Sequence, residues 1–227
     1  MGKINVRPGT LLRWHALKRV LESEIIEGSI IFDIGGYDGF ISYNLKKLFP
    51  KLNITTIDID KAGLQEATER GLNSVYASAL ELPIKDNRVD LVICLDIVEH
   101  VKEDSRFIKE ISRVLKKGGK VILSTPMQNG VSFPFISKEK SKIINKNWGH
   151  VRMGYDLKEL EILFKSNDLV IKETSKYFNV FSKLTYLILL NSGPIINIVS
   201  KLLYKLTIML EPYIKYQSDE YIIIGKK

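Results

Sequence analysis

The chain has 227 residues, 45% hydrophobic and 26% charged, a balance that excludes a disordered segment and suits one globular domain over residues 1–227. Its single cysteine, Cys94, sits in an apolar run, which excludes an internal disulfide and a thiolate metal centre, so no metal is expected. The net charge of +8 is uneven, with +2 over residues 1–137 and +6 over 138–227. The C-terminal part therefore suits an anionic partner, such as a membrane surface, a phosphorylated substrate or a nucleic acid, or else a merely solvated face.

Basic residues near the N-terminus have no apolar stretch behind them, so no secretory signal is visible and a cytoplasmic location is expected. Residues 10–27 read as a helix, with Thr10 as N-cap, Leu11, Leu12, Ala16, Leu17, Val20 and Leu21 on one face, and Gly28 as the stop. With residues 1–28 as an N-terminal cap, Trp14 could simply pack, or, as the family resemblance given below implies, Arg13, Trp14 and His15 could close on a ligand.

The β-type run Ile30-Ile31-Phe32-Asp33-Ile34 meets Gly35-Gly36-Tyr37-Asp38-Gly39, and Ile41, Leu45 and Leu48 then follow at helical spacing. Glycines in such a strand–turn–helix unit let backbone N–H groups approach a small molecule. Asp33 would repel a phosphate there and suits a ligand with an ammonium group. A second strand, Asn53 to Ile57, runs into Asp58-Ile59-Asp60. Asp58, at a strand's carboxyl end, can accept both hydroxyls of a ribose, while Asp60 can cap a helix from Ala62 to Arg70. A short strand, Ser74 to Ala77, leads into Ser78-Ala79-Leu80-Glu81-Leu82-Pro83, and Val89 to Leu95 reads as a strand buried on both faces. That strand ends in Asp96-Ile97-Val98-Glu99-His100-Val101.

Taken together, these segments resemble class I S-adenosylmethionine-dependent methyltransferases of the small-molecule, ubiquinone-methyltransferase-like branch. Asp33-x-Gly35-Gly36-x-Asp38-Gly39 corresponds to that family's first motif, with Tyr37 standing where its middle glycine is expected and Gly36 one residue early. The resemblance implies a doubly wound α/β fold with a seven-stranded, mostly parallel sheet and S-adenosylmethionine as cofactor. By the same resemblance, Asp33 would hold the methionine ammonium directly or through water, Gly35 and Gly36 would admit it, and Asp58, with Ile59 beside it, would take the ribose. Ser78, in place of the family's acid, and Ala79 would flank the adenine, and Leu95 would lie beside the transferable methyl. The Asn/Asp-Pro-Pro-Tyr/Phe motif of many nitrogen methyltransferases is absent from the sequence, which favours an oxygen or carbon acceptor.

A helix over 103–116 is expected to end at a glycine C-cap, Gly118-Gly119, before a strand from Lys120 to Ser124. Residues 127–155 read as a basic loop, and Trp148, Arg152 and Tyr155 are its candidate substrate contacts. His150 and His100 are the candidate general bases, the alternative for either being a structural hydrogen bond. Asp156 can cap a helix over 157–166, and a strand follows from Leu169 to Thr174.

Between Tyr177 and a last strand from Glu220 to Gly225, residues 181–215 form an apolar insertion. It comprises Leu184 to Leu190, a break at Asn191-Ser192-Gly193-Pro194, and Ile195 to Leu210 with Asn197, Lys201 and Lys205 on one stripe. Two helices are expected, forming either a lid that receives a hydrophobic or lipid-like acceptor or rests on an anionic membrane surface, or equally a helical cap packed on the domain or the interface of a homodimer. The rival readings are a nucleic-acid methyltransferase, a non-catalytic binding scaffold and an NAD-dependent oxidoreductase.

Overall fold

The computed structural model describes residues 7–191 and 197–227. The predicted break at Ser192-Gly193-Pro194, with Ile195 after it, lies outside the described residues.

Seven strands form one sheet: β1 (Ile30–Ile34), β2 (Asn53–Asp58), β3 (Asn73–Tyr76), β4 (Val89–Leu95), β5 (Leu115–Pro126), β6 (Val170–Tyr177) and β7 (Glu220–Lys226). Their order is β3-β2-β1-β4-β5-β7-β6, parallel throughout except that β7 runs antiparallel to both neighbours. The expected α/β class and seven-stranded sheet are therefore present. Strand order reverses between β1 and β4, and a crevice opens outside the carboxyl ends of strands at such a switch.

Eight helices are described: α1 (Pro8–Glu24), α2 (Phe40–Leu48), α3 (Lys61–Glu69), α4 (Asp104–Val114), α5 (Lys138–Asn147), α6 (Leu157–Lys165), α7 (Val180–Asn191) and α8 (Asn197–Met209). Successive residues of a strand point to opposite faces, so β1 sends Ile31 into one core and Phe32 into another. The first core also takes Leu17 and Leu21 of α1, Leu45 of α2 and Ile208 of α8; the second takes Phe107 and Ile111 of α4 and Phe164 of α6.

Asp60 caps α3 by accepting the Gly63 N–H, and Asp156 caps α6 in a reciprocal box with Glu159, as local chemistry predicts. Other boundaries differ. Helix α1 begins at Pro8, which supplies the fixed φ of a first helical position, so Thr10 lies inside the helix rather than at its cap. Helix α4 stops at Val114 because the fully buried Leu115 already pairs with Val89. Gly118, at φ +80°, thus belongs to an irregular stretch of β5 and not to a helix C-cap. The basic stretch within 127–155 is mostly helical: Ser137 caps α5, and the buried Asn145 side chain ties it to both backbone groups of Val131.

Helices α7 and α8 fill the excursion between β6 and β7 and pack on each other, and α8 packs on α1. Thr185 and Thr207 share a 2.8 Å hydroxyl contact between them, and the Tyr204 hydroxyl donates to the Pro8 carbonyl at 2.7 Å. Among the described residues no helix is long and apolar enough to cross a membrane.

Candidate active site

The turn after β1 is shaped by close approach. A Cβ on Gly36 would lie 2.6 Å from the Asp33 carboxylate and 2.7 Å from the Thr56 methyl, so only glycine fits. Asp33 is 2% exposed and accepts the Ser42 hydroxyl at 2.6 Å. Burial pushes its carboxyl up to about 6, partly opposed by the Ser42 hydrogen bond. Asp33 lines neither cavity at this end of the sheet, so it braces the turn from beneath rather than meeting a ligand in the cavity directly. Tyr37 replaces the expected glycine by taking φ +47° itself. Its ring lies across Gly63, the Arg7 guanidinium stacks 3.8 Å from the ring centroid, and its N–H donates to Asp58 at 2.8 Å.

Two cavities flank this turn and share Gly35, Asp58 and His100 in their walls. The smaller, about 260 Å³, is bounded by Ile59, Ala77, Ser78, Ala79, Leu80 and Ile97, an apolar slot with Asp58 at its mouth. The Ser78 hydroxyl accepts the Leu80 N–H at 3.1 Å. Of the predicted cofactor residues, Gly35, Asp58, Ile59, Ser78 and Ala79 meet here; Leu95 lines the larger cavity, and Gly36 lies behind both.

The larger cavity, about 500 Å³, has a charged floor. Asp96, just past β4, is bonded by Arg13 and by the Ser124 hydroxyl, and the Tyr177 hydroxyl stands 2.8 Å from it and 2.6 Å from Glu220. Burial alone would raise the Asp96 carboxyl, yet the Arg13 charge and the Ser124 and Arg13 hydrogen bonds hold it below the usual range. Glu220 has no cation of its own, so burial and then the Asp96 charge push its carboxyl well up.

Over this floor stand His100, His150 and the aromatic rings of Trp148, Phe178 and Tyr186. The His100 and His150 rings are perpendicular at 4.9 Å, and His100 Nδ1 is 3.1 Å from the Gly149 carbonyl. Burial lowers both imidazoles, and His100 helps bring His150 down to about 4, so both are neutral at pH 7.

Trp148 and His150 thus reach the cavity; Arg152 and Tyr155 do not. Arg152 is held by Asp104 and Glu159 and stacks 3.8 Å from the centre of the Tyr155 ring. Tyr155 is 1% exposed, with its hydroxyl 3.1 Å from Asp104. They are structural, which corrects their assignment as substrate contacts. Of the α1 candidates, Arg13 lines the cavity, whereas Trp14 packs against the first core. Sequence reasoning missed Asp96, Glu99, Tyr177, Tyr186 and Glu220; the polar residues directly after the apolar β4 run were the available signal for the first two.

Residues 32–123 match the family model described as methyltransferase domain. Over those residues the chain thus resembles a methyltransferase domain. It is similar to the ubiquinone biosynthesis O-methyltransferases of Coxiella burnetii strain RSA 493, at 28% identity over 55% of this chain and 55% of the relative, and of Alkalilimnicola ehrlichii, at 31% over 48% and 47%. The chain spans about half the length of these curated relatives. In fold it is similar to Haemonchus contortus phosphoethanolamine N-methyltransferase 2 solved with S-adenosyl-L-methionine, with a TM-score of 0.69 at 18% identity over 94% of this chain and 52% of that one. The methyltransferase domain's cofactor is S-adenosylmethionine. The residues present are chemically suited to such a molecule: a tight glycine turn, the Asp58 carboxylate, which could accept ribose hydroxyls, and an apolar slot that could take an adenine lie side by side.

Proposed function

We propose that this chain transfers a methyl group from S-adenosylmethionine to an oxygen, or an activated carbon, of a hydrophobic or lipid-linked small molecule. The observation that carries the reading is the pair of cavities meeting at Gly35, Asp58 and His100, one an apolar slot and the other aromatic-walled with a charged floor. When bound, the cofactor supplies an electrophilic methyl on sulfur. The chain's work is alignment and exclusion of water: Trp148, Phe178 and Tyr186 would hold an apolar acceptor, and the neutral His100 and His150 meet its ionisable group.

Binding of S-adenosylmethionine and S-adenosylhomocysteine at micromolar Kd, with none for NAD, is the expected calorimetric result; the reverse pattern would favour an oxidoreductase, and no binding a scaffold. On an acceptor that turns over in a panel of hydroxylated apolar compounds, replacing both His100 and His150 with glutamine should lower kcat by roughly 100-fold or more. Unchanged turnover would remove the histidines from the chemistry.

An acceptor drawn from a lipid surface is supported by the outer side of α8, where Ile198, Val199, Leu202, Leu203, Leu206 and Met209 are all at least 42% exposed and Lys201 and Lys205 are exposed among them. This apolar character favours a lipid-like partner over a nucleic acid. The chain should co-float with anionic vesicles, and Leu202→Glu with Leu206→Glu should cut the bound fraction several-fold; equal flotation of the variant would exclude this face.

A further inference from the structure

The wall of the larger cavity holds polar atoms that no protein group answers. Glu99 is 0% exposed, its Oε1 has no hydrogen-bond partner, and the His150 Nδ1 is likewise buried and unpartnered. Such atoms carry a full desolvation cost unless a ligand satisfies them. Among the described residues no lysine or arginine pairs with Glu99. The two guanidiniums of the cavity are engaged elsewhere, Arg13 by Asp96 and Arg7 on the Tyr37 ring.

What the three side chains of this wall offer is acceptors. His100 Nδ1 stands 3.1 Å from the Gly149 carbonyl, which can only accept, so Nδ1 carries the ring proton and Nε2 is a bare acceptor. That Nε2 faces Glu99 Oε1 at 3.9 Å, and two acceptors so placed call for a donor between them. The Thr125 hydroxyl donates to Glu99 Oε2 at 3.2 Å, which fixes the carboxylate and leaves Oε1 open. His150, neutral at pH 7, presents one acceptor nitrogen. One such atom from each of Glu99, His100 and His150 falls within 4.8 Å of the others. Three acceptors that each stand about 2.9 Å from one tetrahedral nitrogen are about 4.7 Å apart. The wall is therefore spaced for the three N–H groups of a primary ammonium.

We propose that Glu99, His100 and His150 form a tripod for a primary ammonium group, so that the larger cavity takes an acceptor bearing an amine. Trp148 lies 5.9 Å from His150, ring centre to ring centre, and Tyr186 meets Trp148 edge to face at 6.3 Å; aromatic faces beside the tripod favour a cation further. The inference rests on the methyl-transfer reading and names its substrate class: an apolar molecule with a primary amine near the oxygen or carbon that is methylated. An amine donating three hydrogen bonds keeps its proton and has no lone pair for the methyl. The methyl goes to another atom of the acceptor, and the two histidines orient that acceptor rather than take its proton.

The chain as it exists, in buffer containing a chelator, would be titrated by calorimetry with phenethylammonium, phenethyl alcohol and trimethylphenethylammonium, each with and without saturating S-adenosylhomocysteine. The primary ammonium is expected to bind at least about tenfold more tightly than the alcohol, which lacks the charge, and than the quaternary ion, which has no N–H. The preference should vanish in Glu99→Gln and in His150→Gln, while His15→Gln, outside the cavity wall, binds like the parent chain. Each variant's thermal melt is recorded, and His100→Gln serves if another misfolds. Equal binding of the three probes, or a preference kept in the Glu99 and His150 variants, overturns the tripod. Loss of S-adenosylhomocysteine binding in a folded Glu99→Gln chain also overturns it, since the site would then belong to the cofactor's own ammonium. Cofactor binding without the probe preference overturns this inference alone; the preference in a chain that binds no S-adenosylmethionine overturns the proposed function and leaves the tripod standing.

Discussion

Asp58→Ala is expected to weaken S-adenosylmethionine binding by at least about 100-fold. In the free chain each oxygen of this carboxylate already has one partner, the Tyr37 N–H at 2.8 Å and the Asp60 N–H at 2.9 Å. One fixes the glycine turn after β1, and the other sets the start of α3. Because a carboxylate oxygen accepts more than one hydrogen bond, both keep capacity for the two ribose hydroxyls at the mouth of the apolar slot. Two charge-assisted bonds, each worth roughly 1.5–3 kcal/mol, account for about 100-fold or more in Kd, before any loosening of the turn. Asp58→Asn keeps the shape and part of the accepting capacity, so an intermediate loss is expected. Calorimetry on all three chains decides the matter; a Kd for Asp58→Ala within threefold of the parent would remove the ribose role.

Arg13→Met should be the most destabilising change in the cavity, costing about 3 kcal/mol near pH 8, because it leaves buried carboxyl groups without their cation. For a chain of this size that corresponds to a fall in Tm of roughly 6–12 °C. The effect has a defined pH sense. With Arg13 present, burial of Asp96 is more than offset by the guanidinium charge, and its carboxyl lies below the usual range. A depressed carboxyl contributes stability above its unfolded value, near 4, and loses it as pH falls through the lower folded value. Without Arg13 burial dominates, Asp96 takes up a proton more readily, and the penalty shrinks on acidification. Urea denaturation at pH 8 and pH 5 should therefore show a larger difference between variant and parent at pH 8. A pH-independent difference would mean that Arg13 acts by packing alone.

What could be read from the chain was what local chemistry decides. The glycine turn, Asp58 at the end of β2 and the cap at Asp60 each depend on residues within a few positions, and each stands where the sequence places it. What could not be read depends on distant partners. Arg152 and Tyr155 look like substrate contacts beside Trp148 and His150, but Asp104 and Glu159 hold them away from the cavity. Asp33 resembles a ligand for a cation until Ser42 and Gly36 enclose it. The charged floor joins α1, the end of β4, the end of β6 and the start of β7, a grouping that exists only once β7 lies between β5 and β6.

The excursion carrying α7 and α8 leaves the sheet at Tyr177 and returns at Glu220, and these two residues are register partners joined by a 2.6 Å hydrogen bond. Its two ends are therefore stapled together by the sheet itself, whatever lies between them. The glycine turn, Asp58 and the apolar slot belong to the other half of the sheet. Residues 178–219 therefore enter and leave the sheet at one paired point, beside the larger cavity that Phe178 and Tyr186 line.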